Sequence, residues 1–378
     1  MRYIRSHTAL RGIAALLVCV YHYVMFVCGA DWMAGASRLL ANGYAAVDLF
    51  FVLSGYILTA RYGHVFAAGI ERGAWRDFIN RRFARLYPLH LATLAMALPF
   101  ALFRKNADLP AQEVIGDLAL NLLMVQSWGF RPEATFNFPS WSISVEWGAY
   151  LVFPLLAALF LKGPRGRLAL LGLVILGYAW IASMGRGLEV ETEHRLIRGL
   201  LGFALGMLAF AWRDLGRIAH PGGLALAQVV AAGGAILTLS QPAPVGVEFM
   251  PFAAALTVLL HEDRGPLGRA MQGRGAVWLG EASYSIYMLH MPVFWIVKEI
   301  LMRAGLFDRA AIAEAPLAVG GGLVLLCLAV LLPLAHLSHA WFETPARRGL
   351  STLLAASPER RRAARARLQG AGTGAPQP

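Results

Sequence analysis

The 378-residue chain is 58% hydrophobic and only 15% charged, with a mean hydropathy of +0.56. Apolar stretches recur from end to end, which excludes an ordinary soluble domain and indicates an integral membrane protein. The net charge of +12 comes mainly from short loops between apolar segments, a distribution that favours orientation in a membrane over nucleic-acid binding.

Eleven apolar segments follow one another along the chain, at approximately 8–28, 44–61, 84–103, 112–127, 141–161, 167–184, 195–212, 223–239, 245–260, 282–302 and 317–340. The segment at 112–127 is short and polar, because Glu113, Asp117, Asn121 and Gln126 lie within it. A helix needs about 20 apolar residues to cross a bilayer, so this segment is predicted to be re-entrant or interfacial. The sequence thus predicts an all-α polytopic membrane protein with about ten transmembrane helices.

The positive charges predict the orientation of these spans. With ten spans, most of the 34 Lys and Arg residues lie on one side of the membrane, which the positive-inside rule assigns to the cytoplasm together with both termini. The first segment is long for a signal peptide and is interrupted by Arg11 and His22, so it is predicted to be an uncleaved span. Residues 1–345 then form the transmembrane domain, and 346–378 form a basic cytoplasmic tail, expected to be disordered from about residue 357.

The first segment carries two polar side chains on one face. Arg11 and His22 are about three helical turns apart, so both point to the same side, some 16 Å apart along the helix. In the predicted topology His22 shares the outer half of the bilayer with Asp48 and Glu146 on two other spans. A carboxylate within reach would orient His22 and make it more basic, as a general base requires. The alternatives are a structural, hydrogen-bonding histidine and two carboxylates that merely meet water at span ends.

A second constellation is NRRFARLYP, at the cytoplasmic start of the third span. Arg81 and Arg85 are four residues apart and Arg82 and Arg85 three, so their guanidinium groups converge on one face of a helical turn. Guanidinium groups beside a helix N-terminus form a good phosphate-binding site. The alternative is that these arginines only orient the span in the membrane.

Two further stretches hold candidate substrate-binding residues. PSWSISVEW places Trp141 and Ser142 at the polar opening of a span, where the tryptophan serves either as an interfacial belt residue or as a stacking platform for a sugar. In EASYSIYMLHMP, His290 lies near mid-membrane, as a cavity-facing structural histidine or as a second base. The three cysteines lack the spacing of a metal site, and no metal is predicted.

Five stretches occur together and in order: the Arg11–His22 spacing, VDLFFVLSGYIL around Asp48, RRFARLYP, PSWSISVEW and LGEASYSIYMLHMPVF. From about Thr8 to Glu343 the chain resembles the membrane-bound acyltransferase family 3, which O-acylates bacterial surface and exported carbohydrates. A typical member reads SVEEQFYLLFP where this chain reads SVEWGAYLVFP, so the second acidic position of the pattern is absent. Many members also carry a C-terminal esterase-like domain, and its absence here implies a stand-alone form.

The resemblance implies an enzyme of the bacterial inner membrane that takes an acyl group, usually acetyl, from acyl-CoA on the cytoplasmic side. The residues implied as cofactor-binding are Arg11, Arg81, Arg82 and Arg85, and those implied as catalytic are His22, Asp48 and Glu146. His22, supported by one of the two carboxylates, would activate the acceptor hydroxyl or itself carry the acyl group, and both routes stay open. The implied acceptor is a carbohydrate or glycolipid on the periplasmic side, and membrane lipids are the other expected partners.

A transporter is the main alternative. A polytopic transporter of an acylated or anionic small molecule would also have ten spans and buried charges, but it would normally show inverted repeats with broken helices in matching halves, which are not seen in this sequence. A receptor would need no reactive histidine. Hydrolysis of acetyl-CoA by the purified protein separates an enzyme from both.

Overall fold

The protein is built from helices throughout residues 3–67, 69–104, 111–131, 135–190 and 192–355, the part of the chain that a computed structural model describes. The longer helices are α1 (Arg5–Cys28), α2 (Ala46–Tyr62), α3 (Arg72–Arg104), α4 (Ala111–Leu122), α5 (Trp141–Phe160), α6 (Pro164–Ser183), α7 (Arg195–Ala209), α8 (Pro221–Leu239), α9 (Phe249–Leu259), α10 (Arg274–Glu281), α11 (Ser283–Arg303), α12 (Gly321–Leu337) and α13 (Thr344–Leu353).

Short helical pieces connect them. Short α-helical segments lie at Ala30–Ala36, Arg38–Ala41, Leu215–Ile218, Gly265–Ala270 and Arg309–Glu314. Turns of 3₁₀ helix lie at Gly43–Ala45, Gly63–Phe66, Phe138–Ser140, Thr192–His194 and Phe210–Trp212, and π-helical turns at Pro316–Gly320 and Ser338–Glu343. These ranges contain no strand, which confirms the predicted all-α fold class.

Eight helical stretches in the described ranges are long and apolar enough to cross a bilayer: Arg5–Cys28, Gly43–Phe66, Phe138–Phe160, Pro164–Ser183, Arg195–Trp212, Pro221–Leu239, Ser283–Arg303 and Pro316–Leu353. The span predicted at 84–103 lies within α3, whose 33 residues extend about 50 Å. Over 245–260 the structure has only α9, which is 11 residues or about 16 Å long, whereas the hydrocarbon core is about 30 Å thick. The full span expected there is therefore shortened, and the count of ten spans stays a prediction.

The segment at 112–127, predicted to be re-entrant or interfacial, packs against the beginning of α5. α4 covers only 12 residues, about 18 Å, which suits a re-entrant or interfacial segment better than a span. After α4 the chain turns, so that Gln126 donates to Oγ of Ser140 (3.0 Å) and Trp128 donates to the carbonyl oxygen of Ser144 (3.0 Å). These hydrogen bonds tie the segment to the beginning of α5 and help to position the side chains there.

α1 is the central helix of the bundle. Ala14 and Val18 belong to one buried apolar cluster, while Ala15 and Cys19 on an adjacent face belong to a second. Since residues four apart lie on one helical face, α1 separates two packed halves of the protein. Its polar side chains therefore lie between elements from both halves.

Glycines decide which helices become the neighbours of α1 and α2. An added Cβ at Gly55 of α2 or at Gly206 of α7 would lie 1.9 Å from a backbone oxygen of the other helix. At Gly280 of α10 it would lie 1.8 Å from the carbonyl oxygen of Thr8. Small residues of this kind let helix backbones approach closely within a membrane. They bring α2 against α7, and α1 against α10 and the following α11.

Candidate active site

A cavity of about 1070 Å³ lies among α1, α2, α3, α5, α11 and α13. Near the start of α2, Tyr287 lies against Phe50 (6.1 Å between ring centres), and at the other end of the same helix Arg61 is exposed. The cavity therefore has a charged mouth and a closed aromatic end inside the bundle. The predicted site residues that line it are Arg11, Arg81, Arg82, Arg85, Ser142 and Glu146.

Arg81, Arg82 and Arg85 converge at the mouth of the cavity. Arg82 donates to the hydroxyl of Tyr62 (3.3 Å) and its guanidinium lies 5.3 Å from the centre of that ring. The predicted contribution of a helix N-terminus is wrong, because α3 begins at Arg72 and only the first turn of a helix has free backbone N–H groups. The anion-binding capacity of this region therefore rests on the guanidinium groups alone.

Glu146 is the only carboxylate among the described residues that line the cavity. It accepts hydrogen bonds from Oγ of Ser54 (3.2 Å) and from the hydroxyl of Tyr150. Arg11 lies within electrostatic range of Glu146 and donates to Oγ of Ser283 (3.2 Å). These side chains form a polar middle section between the arginine mouth and the closed end.

His22 and His290 form a buried pair beyond the closed end. Nδ1 of His22 lies 3.0 Å from Nε2 of His290, and Nδ1 of His290 lies 2.5 Å from the carbonyl oxygen of Tyr287. A carbonyl oxygen can only accept, so Nδ1 of His290 carries its proton and, with both rings neutral, its Nε2 accepts from His22. This assignment leaves the lone pair of His22 on Nε2, the nitrogen that points away from the pair.

The predicted support of His22 by Asp48 or Glu146 is wrong. Within the described part of the chain, the side chain hydrogen-bonded to His22 is His290. Asp48 is fully buried and accepts two hydrogen bonds from Arg198, one from Nε at 2.9 Å and one from Nη2. Arg198 is a site residue that was not predicted from the sequence. An arginine inside a predicted span is nevertheless a signal, because a charge in the membrane needs a partner.

Trp141 does not line the cavity and lies instead beside the arginine of this ion pair. The guanidinium groups of Arg195 and Arg198 each lie 5.3 Å from the centre of its ring. Trp141 is half-buried and packs against the larger apolar cluster, so it is held by cation–π contacts inside the bundle. The roles predicted for Trp141, as an interfacial belt residue or as a stacking platform for a sugar, stay predictions.

Tyr287 separates the cavity from the histidine pair. Its hydroxyl donates to the carbonyl oxygen of Pro139 (2.9 Å) and accepts from Oγ of Ser142 (3.0 Å). Its ring lines the cavity on one side and lies 5.6 Å from the ring of His290 on the other. The barrier between the two parts of the site is thus one aromatic side chain thick.

The mouth also contains two arginines that were not predicted to belong to the site. Arg347 and Arg348 of α13 line the cavity, although the sequence places them in the tail after residue 345. The end of α13 is held by Asn80 of α3, which donates to the carbonyl oxygen of Leu354 (2.7 Å). The tail predicted to be disordered from about residue 357 lies outside the described residues. Among the residues that are described, no group of three His, Cys, Asp or Glu side chains could hold a metal ion.

Comparison with known proteins places this arrangement in context. A family model described as an acyltransferase domain matches residues 5–334. Acyltransferase MdmB of Streptomyces mycarofaciens is 29% identical over 374 residues, which cover 91% of this chain and 91% of that protein. Peptidoglycan O-acetyltransferase OatA of Listeria monocytogenes is 24% identical over 384 residues, which cover 92% of this chain and 56% of that protein.

A third relative, O-acetyltransferase OatA of Staphylococcus aureus, is 24% identical over 378 residues, which cover 92% of this chain and 58% of that protein. The chain therefore spans little more than half the length of the two OatA proteins. No solved structure matches the chain.

Proposed function

Because this chain belongs to the acyltransferase family whose model matches residues 5–334, we propose that it is an integral membrane O-acyltransferase of the bacterial inner membrane. It moves an acyl group, acetyl in this proposal, from acyl-CoA on the cytoplasmic side to a hydroxyl of a cell-envelope or exported carbohydrate. The observation that carries the proposal is an arginine-lined cavity whose closed end lies one aromatic ring from a buried histidine pair. The Listeria relative is a protein named as a peptidoglycan O-acetyltransferase, which supports a carbohydrate acceptor.

The charge pattern of the cavity suits acyl-CoA as the donor. This molecule joins a nucleotide with several phosphates to a long uncharged arm that ends in the thioester. Arg82 and Arg85 at the mouth would hold phosphate oxygens through charge-assisted hydrogen bonds, which guanidinium groups make in pairs. The arm would then run past Arg11 and Glu146 toward the closed end at Ser142.

The chemical step uses the free nitrogen of His22. Nε2 accepts the proton of the acceptor hydroxyl, the hydroxyl oxygen attacks the thioester carbonyl, and the carbon–sulfur bond breaks. The leaving thiolate takes the proton back from the imidazolium. His290 accepts the Nδ1–H of His22 and so holds the ring in the tautomer that leaves Nε2 free.

A second route passes through the histidine itself. Nε2 of His22 would attack the thioester, release the thiol and hand the acyl group from an acyl-histidine to the acceptor. Both routes require the side chain of Tyr287 to move, since it separates the cavity from the histidine pair.

Replacing Arg82 and Arg85 together by alanine is expected to raise the KM for acetyl-CoA by roughly ten- to a hundredfold, because a charge-assisted hydrogen bond contributes about 1.5–3 kcal/mol. The measurement is thiol release from acetyl-CoA by purified protein in lipid nanodiscs, with a cell-envelope glycan as acceptor. The matched control is Arg269→Ala with Arg274→Ala, two exposed arginines that do not line the cavity, for which the KM should stay unchanged.

Two outcomes count against this assignment. A double variant with an unchanged KM would leave Arg82 and Arg85 as orientation signals only. Wild-type protein that releases no thiol with any glycan fraction would contradict the proposed function itself. Comparing the acylation of glycans between wild-type and deletion strains then identifies the acceptor.

The orientation of the chain is proposed from its charges, with both termini and the start of α3 in the cytoplasm. In a protein whose native cysteines are replaced, Arg76→Cys should resist an impermeant thiol reagent in intact spheroplasts and react after lysis. Arg76 is exposed, so failure to react reflects sidedness rather than burial. Glu189→Cys, also at an exposed position but in a predicted outer loop, should behave in the opposite way. Labelling of Arg76→Cys in intact spheroplasts would overturn this topology.

A further inference from the structure

We propose that α13 forms the outer wall of the donor site, and that Arg347 and Arg348 bind the terminal phosphate on the nucleotide of the donor. The site would then favour a complete CoA thioester over a donor that lacks this phosphate. The inference rests on the proposed function, since it assumes acyl-CoA in the cavity. It adds a specificity determinant from the end of the helical stretch Pro316–Leu353.

The residues of α13 that reach the cavity lie on one helical face. Arg347, Arg348, Ser351 and Thr352 line the cavity together, and their positions correspond to the i, i+1, i+4 and i+5 pattern of a single face. α13 is anchored at its far end by the hydrogen bond from Asn80 to the backbone after the helix. The two arginines are thus held on the cavity by a helix fixed against α3.

Arginines from α3 and α13 meet at this mouth and outnumber the carboxylates among the described residues that line the cavity. Arg347 lies within electrostatic range of Arg82, Arg85 and Arg348, and of one carboxylate, Glu343. The carboxylate nearest in sequence, Glu343, is buried and already accepts from Oγ of Ser285 (2.8 Å) and lies 3.2 Å from Nδ1 of His339. The repulsion between these like charges is offset when an anion lies between them. The arrangement therefore favours an anionic ligand with several negative oxygens.

The neighbours of each helix suggest which phosphate its arginines meet. Arg85 of α3 lies within electrostatic range of Arg11 and Glu146 in the middle section of the cavity, whereas Arg348 of α13 is exposed at the mouth. A CoA whose thioester points to the closed end would place its 5′-diphosphate near the deeper arginines of α3. Its 3′-phosphate, on the ribose at the other end, would then face α13.

An anionic lipid headgroup offers the same phosphate chemistry from the cytoplasmic leaflet. The donor is favoured over a lipid because Arg347 and Arg348 line the same cavity as Arg82 and Arg85. The two sources predict different dependences on membrane composition and on the 3′-phosphate, so one experiment separates them.

The experiment measures binding of CoA and of 3′-dephospho-CoA to the full chain in nanodiscs, with and without anionic lipid. Wild-type protein should bind CoA more tightly. Arg347→Ala with Arg348→Ala should weaken CoA binding by roughly ten- to a hundredfold and leave 3′-dephospho-CoA binding nearly unchanged, so that the preference disappears. Arg347→Lys with Arg348→Lys, which keeps the charge but loses the paired hydrogen bonds, should retain part of the preference. The double variant Arg269→Ala with Arg274→Ala should keep all of it.

The possible failures are distinguishable. If the alanine variant loses both probes equally, or keeps its preference for CoA, the assignment of α13 is wrong while the proposed function stands. If the effect of the variant disappears in nanodiscs without anionic lipid, the arginines bind a headgroup instead. If wild-type protein binds neither probe, the proposed function fails together with this inference. The lysine variant is the control for folding, because its elution volume in size-exclusion chromatography and its unfolding temperature should match those of the wild-type protein.

Discussion

His22→Gln is expected to give a folded, membrane-inserted protein that still binds CoA but has lost acyl transfer by about a hundred- to ten-thousandfold, the usual contribution of a general base. Glutamine can donate and accept hydrogen bonds, so it can replace a structural histidine beside His290. It cannot take a proton near neutral pH, so it cannot replace a base. An acyl-histidine route would lose still more activity, because the nucleophile itself is removed.

The measurement is acyl transfer by purified variants, with CoA binding determined on the same samples. His90→Gln is the matched control. His90 is buried, as His22 is, and its Nε2 lies 2.8 Å from the backbone carbonyl oxygen of Asn121. It should retain most of the activity. His290→Gln should fall between the two, because it removes the orienting partner and leaves the base in place. A His22→Gln protein that kept more than about a tenth of wild-type transfer would rule out both routes proposed here.

Asp48→Ala is expected to destabilise the protein by about 3–5 kcal/mol, the usual cost of breaking a buried ion pair, because it leaves the charge of Arg198 buried without a partner. Asp48 is 0% exposed and Arg198 is 3% exposed, so solvent cannot compensate for the lost carboxylate. Arg198→Ala should cost a similar amount. Replacing both, as Asp48→Leu with Arg198→Met, should recover much of the loss, because apolar residues of similar volume often replace a buried pair without penalty.

Thermal unfolding in a fixed detergent, together with the yield of inserted protein, measures this cycle. The prediction is strong coupling: each single variant is poorly stable and the double variant is better than either. Additive losses would show that the pair does not stabilise the bundle as a unit. A stable Asp48→Asn protein that had lost transfer would instead restore the catalytic role that the sequence assigned to Asp48.

Properties that depend on one stretch of chain were predictable from the sequence. The apolar run at 8–28 forms α1, and the short polar segment at 112–127 forms a helix too short to span. Arg81, Arg82 and Arg85 reach the same cavity because their spacing within one helix already places them on one face. Periodicity and hydropathy are local, so no tertiary information was needed for these results.

The pairing of side chains between helices was decided by tertiary structure. The predicted topology gave an expected depth in the membrane for His22, Asp48 and Glu146, but not the direction in which each helix turns its side chains. His22 pairs with His290, 268 residues away, and Asp48 with Arg198, 150 residues away.

Those partners follow from which helices touch. The close contact of α2 with α7 at Gly55 and Gly206 turns Asp48 toward Arg198, and the contact of α1 with α10 at Gly280 brings α11 and its histidine to α1. Hydropathy and residue spacing along the chain therefore determined the fold class, most of the helices and the arginine face of this protein. Only close packing at small residues, which hydropathy does not encode, decided that the histidine pairs with a histidine and the aspartate with an arginine.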